Sequence, residues 1–159
     1  MTDPYKSETT RNIHDWPIVL LRVFTGVFFA YNGFGKVSRG GFESGLERVV
    51  TSRLERSFEF FQPFLESVVL PNKVLFAVLV SWGELLIGLA LIIGLATRYA
   101  SIAGAIMVAC FWFMKGQHLL LGSNHDGVWL IVFIVLAGFH AGRVAGLDGR
   151  LSRRFRFLS

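Results

Sequence analysis

The chain predicts an all-α fold, a four-helix transmembrane bundle with an amphipathic outer insertion between the first and second helices. Three observations predict it. Of 159 residues, 53% are hydrophobic and only 17% are charged, with a mean hydropathy of +0.53. The apolar residues fall in long blocks with weak amphipathic spacing, the pattern of a membrane protein rather than a soluble domain. Finally, Val74 to Thr97 reads VLFAVLVSWGELLIGLALIIGLAT with Glu84 as its only charge, long enough to cross the roughly 30 Å hydrocarbon core of a bilayer.

Each element follows in order. Residues 1–15 are polar and lead into no apolar core of signal-peptide type, so they read as a cytoplasmic tail and the first apolar helix as an uncleaved insertion signal. A single domain then covers 16–148, with spans at about 17–37, 74–97, 99–119 and 127–145. The first span carries Arg22 near its start and Lys36 near its end. Thr97 and Arg98 make the only break between the second and third, which requires a tight antiparallel hairpin. The fourth is short, and Arg143 can snorkel outward from it.

The connection at 38–72 balances Arg39, Arg48, Arg53 and Arg56 against Glu43, Glu47, Glu55, Glu59 and Glu66. Phe42 to Leu65 mixes apolar and charged residues at helical spacing. One or two amphipathic helices at the outer surface follow, either as a lid over the bundle or as a structured loop packed on it. Small residues mark packing seams: Gly138 with Gly142, and Ser101, Ala105 and Ala109.

An even number of spans puts both termini on one side. Arg11, Arg98 and the basic tail at 149–159, with Arg150, Arg153, Arg154 and Arg156, place that side in the cytoplasm. The net charge of +5 therefore points to anionic lipid and not to nucleic acid. Cys110 is the single cysteine, which excludes an intrachain disulfide and a cysteine metal cluster. His118 and His125 lie near one face and His140 near the other, so no bis-histidine haem and no metal site is expected. No Walker loop, dinucleotide fingerprint, HExxH or Ser–His–Asp spacing occurs.

Glu84 is the first candidate for chemistry, because a carboxyl group at bilayer depth is costly and is rarely placed there idly. Ala77, Ser81, Glu84 and Gly88 form one small or polar stripe that should face the bundle interior. Arg22, Gly26, Phe29, Gly33 and Lys36 share a face of the first helix. Apposing the two faces sets Glu84 at the depth of Gly26, with Arg22 roughly 6 Å below as counter-ion. In an antiparallel pair Arg22 and Glu84 lean apart, so a water or the Ser81 hydroxyl would sit between them.

Glu84 then serves as proton acceptor or hydrogen-bond partner of a bound ligand, or forms a structural pair with Arg22. Lys36, Lys115, His118 and His125 sit toward the outer ends, with Trp82 and Trp112 deeper. A cationic mouth over an apolar interior suits an anion or the polar head of a quinone. Ordinary snorkelling and interface anchoring is the alternative.

Three segments carry a family resemblance. LLRVFTGVFFAYNGFGKV resembles the opening of DoxX/DoxD membrane proteins, SWGELLIGLALIIGLATR their second helix, and AGFHAGRVAGLDGRLSRR their closing segment. The likeness covers about Val19 to Arg154 and marks Arg22, Gly26, Lys36, Glu84, Gly88, Gly94, Arg98, Gly142, Arg143 and Asp148. It implies a multi-pass protein of a bacterial or archaeal cytoplasmic membrane. It also implies a quinone-linked oxidoreductase subunit that passes electrons from a small sulfur donor such as thiosulfate to quinone.

On that expectation Glu84 manages the quinone proton and Arg22 sets its charge. Lys36, Ser81, Trp82, Trp112 and His118 line the substrate site. The alternatives are a non-catalytic anchor that recruits a soluble redox or sulfur-transfer partner, and a small transporter. A second membrane subunit or a homo-oligomer is a further expected partner.

Overall fold

The structure, a computed structural model, describes the backbone of residues 4–116, 125–139, 142 and 146–151, and the side chains of 16–116, 125–139, 142 and 146–149. In chain order the helices are α1 (Pro4–Arg39), α2 (Phe42–Arg53), α3 (Gln62–Phe64), α4 (Lys73–Ile93), α5 (Thr97–Lys115), α6 (Asp126–Gly138) and α7 (Leu147–Leu151). The described residues contain no strand. Trp16–Arg39, Lys73–Ile93 and Thr97–Lys115 are each long and apolar enough to cross a membrane, and Asp126–Gly138 is a shorter apolar helix. The all-α bundle is therefore present. Helix α1 starts at Pro4, well inside the stretch expected as a tail.

Leu20, Phe24, Val78, Leu86 and Ile106 are exposed on the outside of the bundle. In water such a surface would be untenable; in a bilayer it is the surface that lipid covers.

Helices α1 and α4 form the main antiparallel pair, and glycine sets how they meet. A Cβ on Gly26 would lie 2.8 Å from the Gly88 carbonyl oxygen and 2.9 Å from Ile92. One on Gly33 would run into the backbone of Glu84 and Leu85, and one on Gly88 into Ala30. Backbones this close leave a single register, because sliding either helix brings a larger residue into the seam. Helices α5 and α6 form the second pair, with the Phe133 ring lying over Gly104. Phe29, Ile87, Leu91, Val108, Phe133 and Leu136 fill the centre. Among the described residues Gly138 makes no close approach: a Cβ there would meet nothing within 4 Å.

The α4–α5 turn lies at Gly94–Ala96, earlier than the expected break at Thr97 and Arg98. Gly94 caps α4 with φ 66°, a left-handed conformation that only glycine takes readily, and its N–H donates to the Ala90 carbonyl. Ala96 is also left-handed, with φ 49°. Thr97 and Arg98 belong to the first turn of α5. The fourth span was expected to reach about 145; its described helix ends at Gly138, and most residues beyond Phe139 lie outside the described ones.

The insertion packs on the bundle. Leu46 and Val50 of α2 join Leu65, Val69, Ala77 and Met114 in a second apolar cluster. Beside it the Phe58 N–H donates to the Phe113 carbonyl at 3.2 Å.

Candidate functional site: an ion-paired cavity

The register of α1 on α4 decides which charges meet. Because Gly33 faces Glu84 and Leu85, the next turn of α1 brings Lys36 onto Glu84. Its ammonium donates to both carboxylate oxygens, at 2.5 Å and 2.6 Å. The Glu84 side chain is 6% exposed and that of Lys36 26%. Lys36 also lies 5.1 Å from the Phe42 ring centroid and 5.9 Å from that of Phe111. A buried carboxylate thus gains a bidentate charge-assisted partner, which offsets the cost of its desolvation.

Arg22 is not that partner, which corrects the expected pairing. The expected register put Glu84 opposite Gly26; the glycine contacts place it opposite Gly33, two helical turns further along α1. Arg22 is about 21 Å from Lys36 along the helix. It is 2% exposed and packs at the α4–α5 turn, its Nη1 where Cβ atoms on Gly94 and Gly146 would fall. The neighbouring carboxylate is Asp148. Asp148 accepts the N–H groups of Ala96 at 2.6 Å and Thr97 at 2.9 Å. Its own N–H donates to the Gly94 carbonyl at 2.9 Å. Arg22, Gly94, Gly142 and Asp148, scattered in the chain, converge here as a polar node at the α4–α5 turn.

The Lys36–Glu84 pair forms one wall of a cavity of about 530 Å³, bounded also by Phe28, Phe29, Asn32, Phe111, Asp126 and Trp129. Phe28 stacks on Trp129 at 4.4 Å between centroids, and Phe29 meets the same indole edge-on at 5.5 Å. Asp126, at the start of α6, accepts from Lys115 at 2.8 Å. The cavity therefore offers a flat aromatic wall and two carboxylates, each already matched by an ammonium. Such a site suits a neutral planar ligand that both accepts and donates hydrogen bonds better than it suits an anion.

Three of the other expected site residues, Ser81, Trp82 and Trp112, lie elsewhere. The Ser81 hydroxyl is buried and donates to the Ala77 carbonyl at 2.7 Å, so it is spent within α4. Trp82 is 49% exposed on the outside of α4. Trp112 packs on Phe58 and Phe113 beneath the insertion. His118 lies outside the described residues. The described residues hold no group of three His, Cys, Asp or Glu side chains able to hold a metal.

Residues that sequence reasoning missed are Phe28, Asn32, Phe111, Asp126 and Trp129. A polar residue in an apolar helix signals Asn32. The aromatic residues look like any others in spans this rich in phenylalanine.

The family model described as DoxX matches residues 18–116 of this chain. That segment supplies Arg22, Lys36, Glu84 and Phe111, while Asp126 and Trp129 come from the apolar helix after it. No curated protein and no solved structure matches the chain.

Proposed function

The chain belongs to the DoxX family, and on that footing we propose that it is the quinone-binding membrane subunit of an oxidoreductase. The observation that carries the reading is the Lys36–Glu84 pair in the wall of an aromatic cavity. Reducing a quinone to its quinol takes two electrons and two protons. A quinone ring stacked in the Phe28–Trp129 wall would present a carbonyl oxygen to Lys36, which donates a hydrogen bond and stabilises the negative charge that gathers there. Glu84 would relay the proton to that oxygen and be reprotonated from the aqueous side past Asp126 and His125, both of which line the cavity. Arg22, at the other end of α1, would then act as a structural residue and not a catalytic one.

The donor half of the reaction is assigned to a partner. With thiosulfate as donor, two thiosulfates join through a new S–S bond to give tetrathionate and two electrons, which with two protons convert one quinone to quinol. Of the residues expected to draw such an anion, Lys36 and Lys115 both face carboxylates, and His118 lies outside the described residues. We therefore propose that the oxidation takes place on a soluble or second membrane subunit, with the present chain as the quinone end. The anchor reading differs in one respect: it needs no quinone in the cavity.

The test is quinone binding and turnover by the purified protein in lipid nanodiscs, alone and with its partner. Thiosulfate-dependent reduction of a quinone analogue that falls at least tenfold, about 1.4 kcal/mol, in Glu84→Gln supports the reading. Absence of quinone binding together with intact capture of a redox partner would replace it with the anchor.

A further inference from the structure

A second concavity lies beneath the insertion, about 400 Å³ in volume, roofed by Leu46, Val50 and Leu65 and floored by Val80 and Met107. Apart from the Cys110 thiol, its lining carries no polar side chain. It shares one residue with the ion-paired cavity, Phe111, which lines both. Its other edge reaches the lipid-facing surface at Leu79 and Ile106, which are 54% and 61% exposed.

We infer that this groove holds the hydrocarbon tail of an amphiphile whose polar head occupies the cavity at Lys36 and Glu84, with Phe111 as the divider between head and tail. The inference rests on the quinone reading and narrows its substrate class to long-tailed, membrane-resident quinones. Three observations support this occupant. A groove this apolar gains nothing from water or from a polar peptide, whereas each buried methylene contributes about 0.8 kcal/mol. Its open edge lies where a tail dissolved in the bilayer would arrive. And it adjoins, through a single aromatic ring, the compartment suited to the head. An acyl chain of bulk lipid is the competing occupant, distinguished by having no dependence on the head cavity.

Cys110, the one cysteine of the chain, lines the groove and reports on its occupancy. In nanodiscs, alkylation of Cys110 by N-ethylmaleimide is followed in the presence of three probes. These are a fully substituted benzoquinone with a decyl tail, the same ring without the tail, and decane. Mass action predicts that the tailed quinone slows alkylation about fivefold or more near saturation, that the other two leave it unchanged, and that Glu84→Gln removes the protection.

Ala103→Trp, which fills the groove from its lipid-facing side, gives a second readout independent of thiol reactivity. It should lower the affinity for the tailed quinone to that for the tail-less ring. Equal protection by decane, or tailed-quinone affinity unchanged by Ala103→Trp, overturns the inference. If both quinones quench Trp129 fluorescence but the tail neither protects Cys110 nor raises affinity, the tail site fails and the quinone reading stands. If neither quinone quenches Trp129, both fall.

Discussion

Lys36 and Glu84, 48 residues apart in the chain, meet through both carboxylate oxygens in the interior of the α1–α4 pair. Removing one member of a buried ion pair leaves the other uncompensated, at a cost of about 3–5 kcal/mol. Lys36→Met should therefore destabilise the protein more than Glu84→Gln, since it strands a carboxylate in an apolar interior. The double variant should recover part of the loss, with a coupling on the order of 1–3 kcal/mol. Unfolding in mixed micelles of the four proteins measures it; strict additivity would refute the pair.

The glycine seam predicts a sharp asymmetry among alanine substitutions. Gly33→Ala and Gly88→Ala drive a methyl group into opposing backbone and should each cost about 1–3 kcal/mol or more. They should also disturb the Lys36–Glu84 geometry by forcing the helices apart. Gly35→Ala and Gly45→Ala add a methyl to open space in helices and should be neutral or stabilising by up to about 1 kcal/mol. Thermal unfolding of the four variants decides; equal effects would mean the seam is not where the helices meet.

At the opposite end of α1, Asp148 caps α5 by accepting from Ala96 and Thr97. Asp148→Ala should cost about 0.5–2 kcal/mol. Hydrogen exchange at the Ala96 and Thr97 amides should quicken severalfold, while exchange around Glu84 stays as it was. Unchanged exchange at Ala96 and Thr97 would show that the cap does not hold in solution.

Of the four tryptophans, only Trp129 borders the ion-paired cavity. A bound quinone analogue should quench the fluorescence of the wild type and of Trp82→Phe and Trp112→Phe, and lose most of that quenching in Trp129→Phe. Quenching that instead disappears with Trp82 would place the ligand at the lipid-facing surface.

Much of the architecture was legible in the chain. The block pattern of apolar residues announced the helices, and the Ala77–Ser81–Glu84–Gly88 stripe announced the inward face of α4, all four of whose members are buried. The same spacing found the buried face of α1 at Arg22, Gly26, Phe29 and Gly33. What spacing along one helix does not contain is the axial offset between two. Glu84 and Arg22 both lie on the right faces, but the offset that would bring them together differs from the actual one by about two turns. Ser81 was legible as inward-facing but not as hydrogen-bonded within its own helix. Trp82, one residue away, points outward because consecutive helical positions differ by about 100°.

By itself the sequence determined the solvent, the helices, their buried faces and the presence of an interior carboxylate, since each depends on local composition and the 3.6-residue period. Only the tertiary structure decided that the carboxylate belongs to Lys36, that Arg22 serves Asp148 at the other end, and that Phe111 stands between a polar and an apolar compartment. These depend on how closely two backbones approach, which glycine contacts summed over a whole interface determine and no single segment encodes.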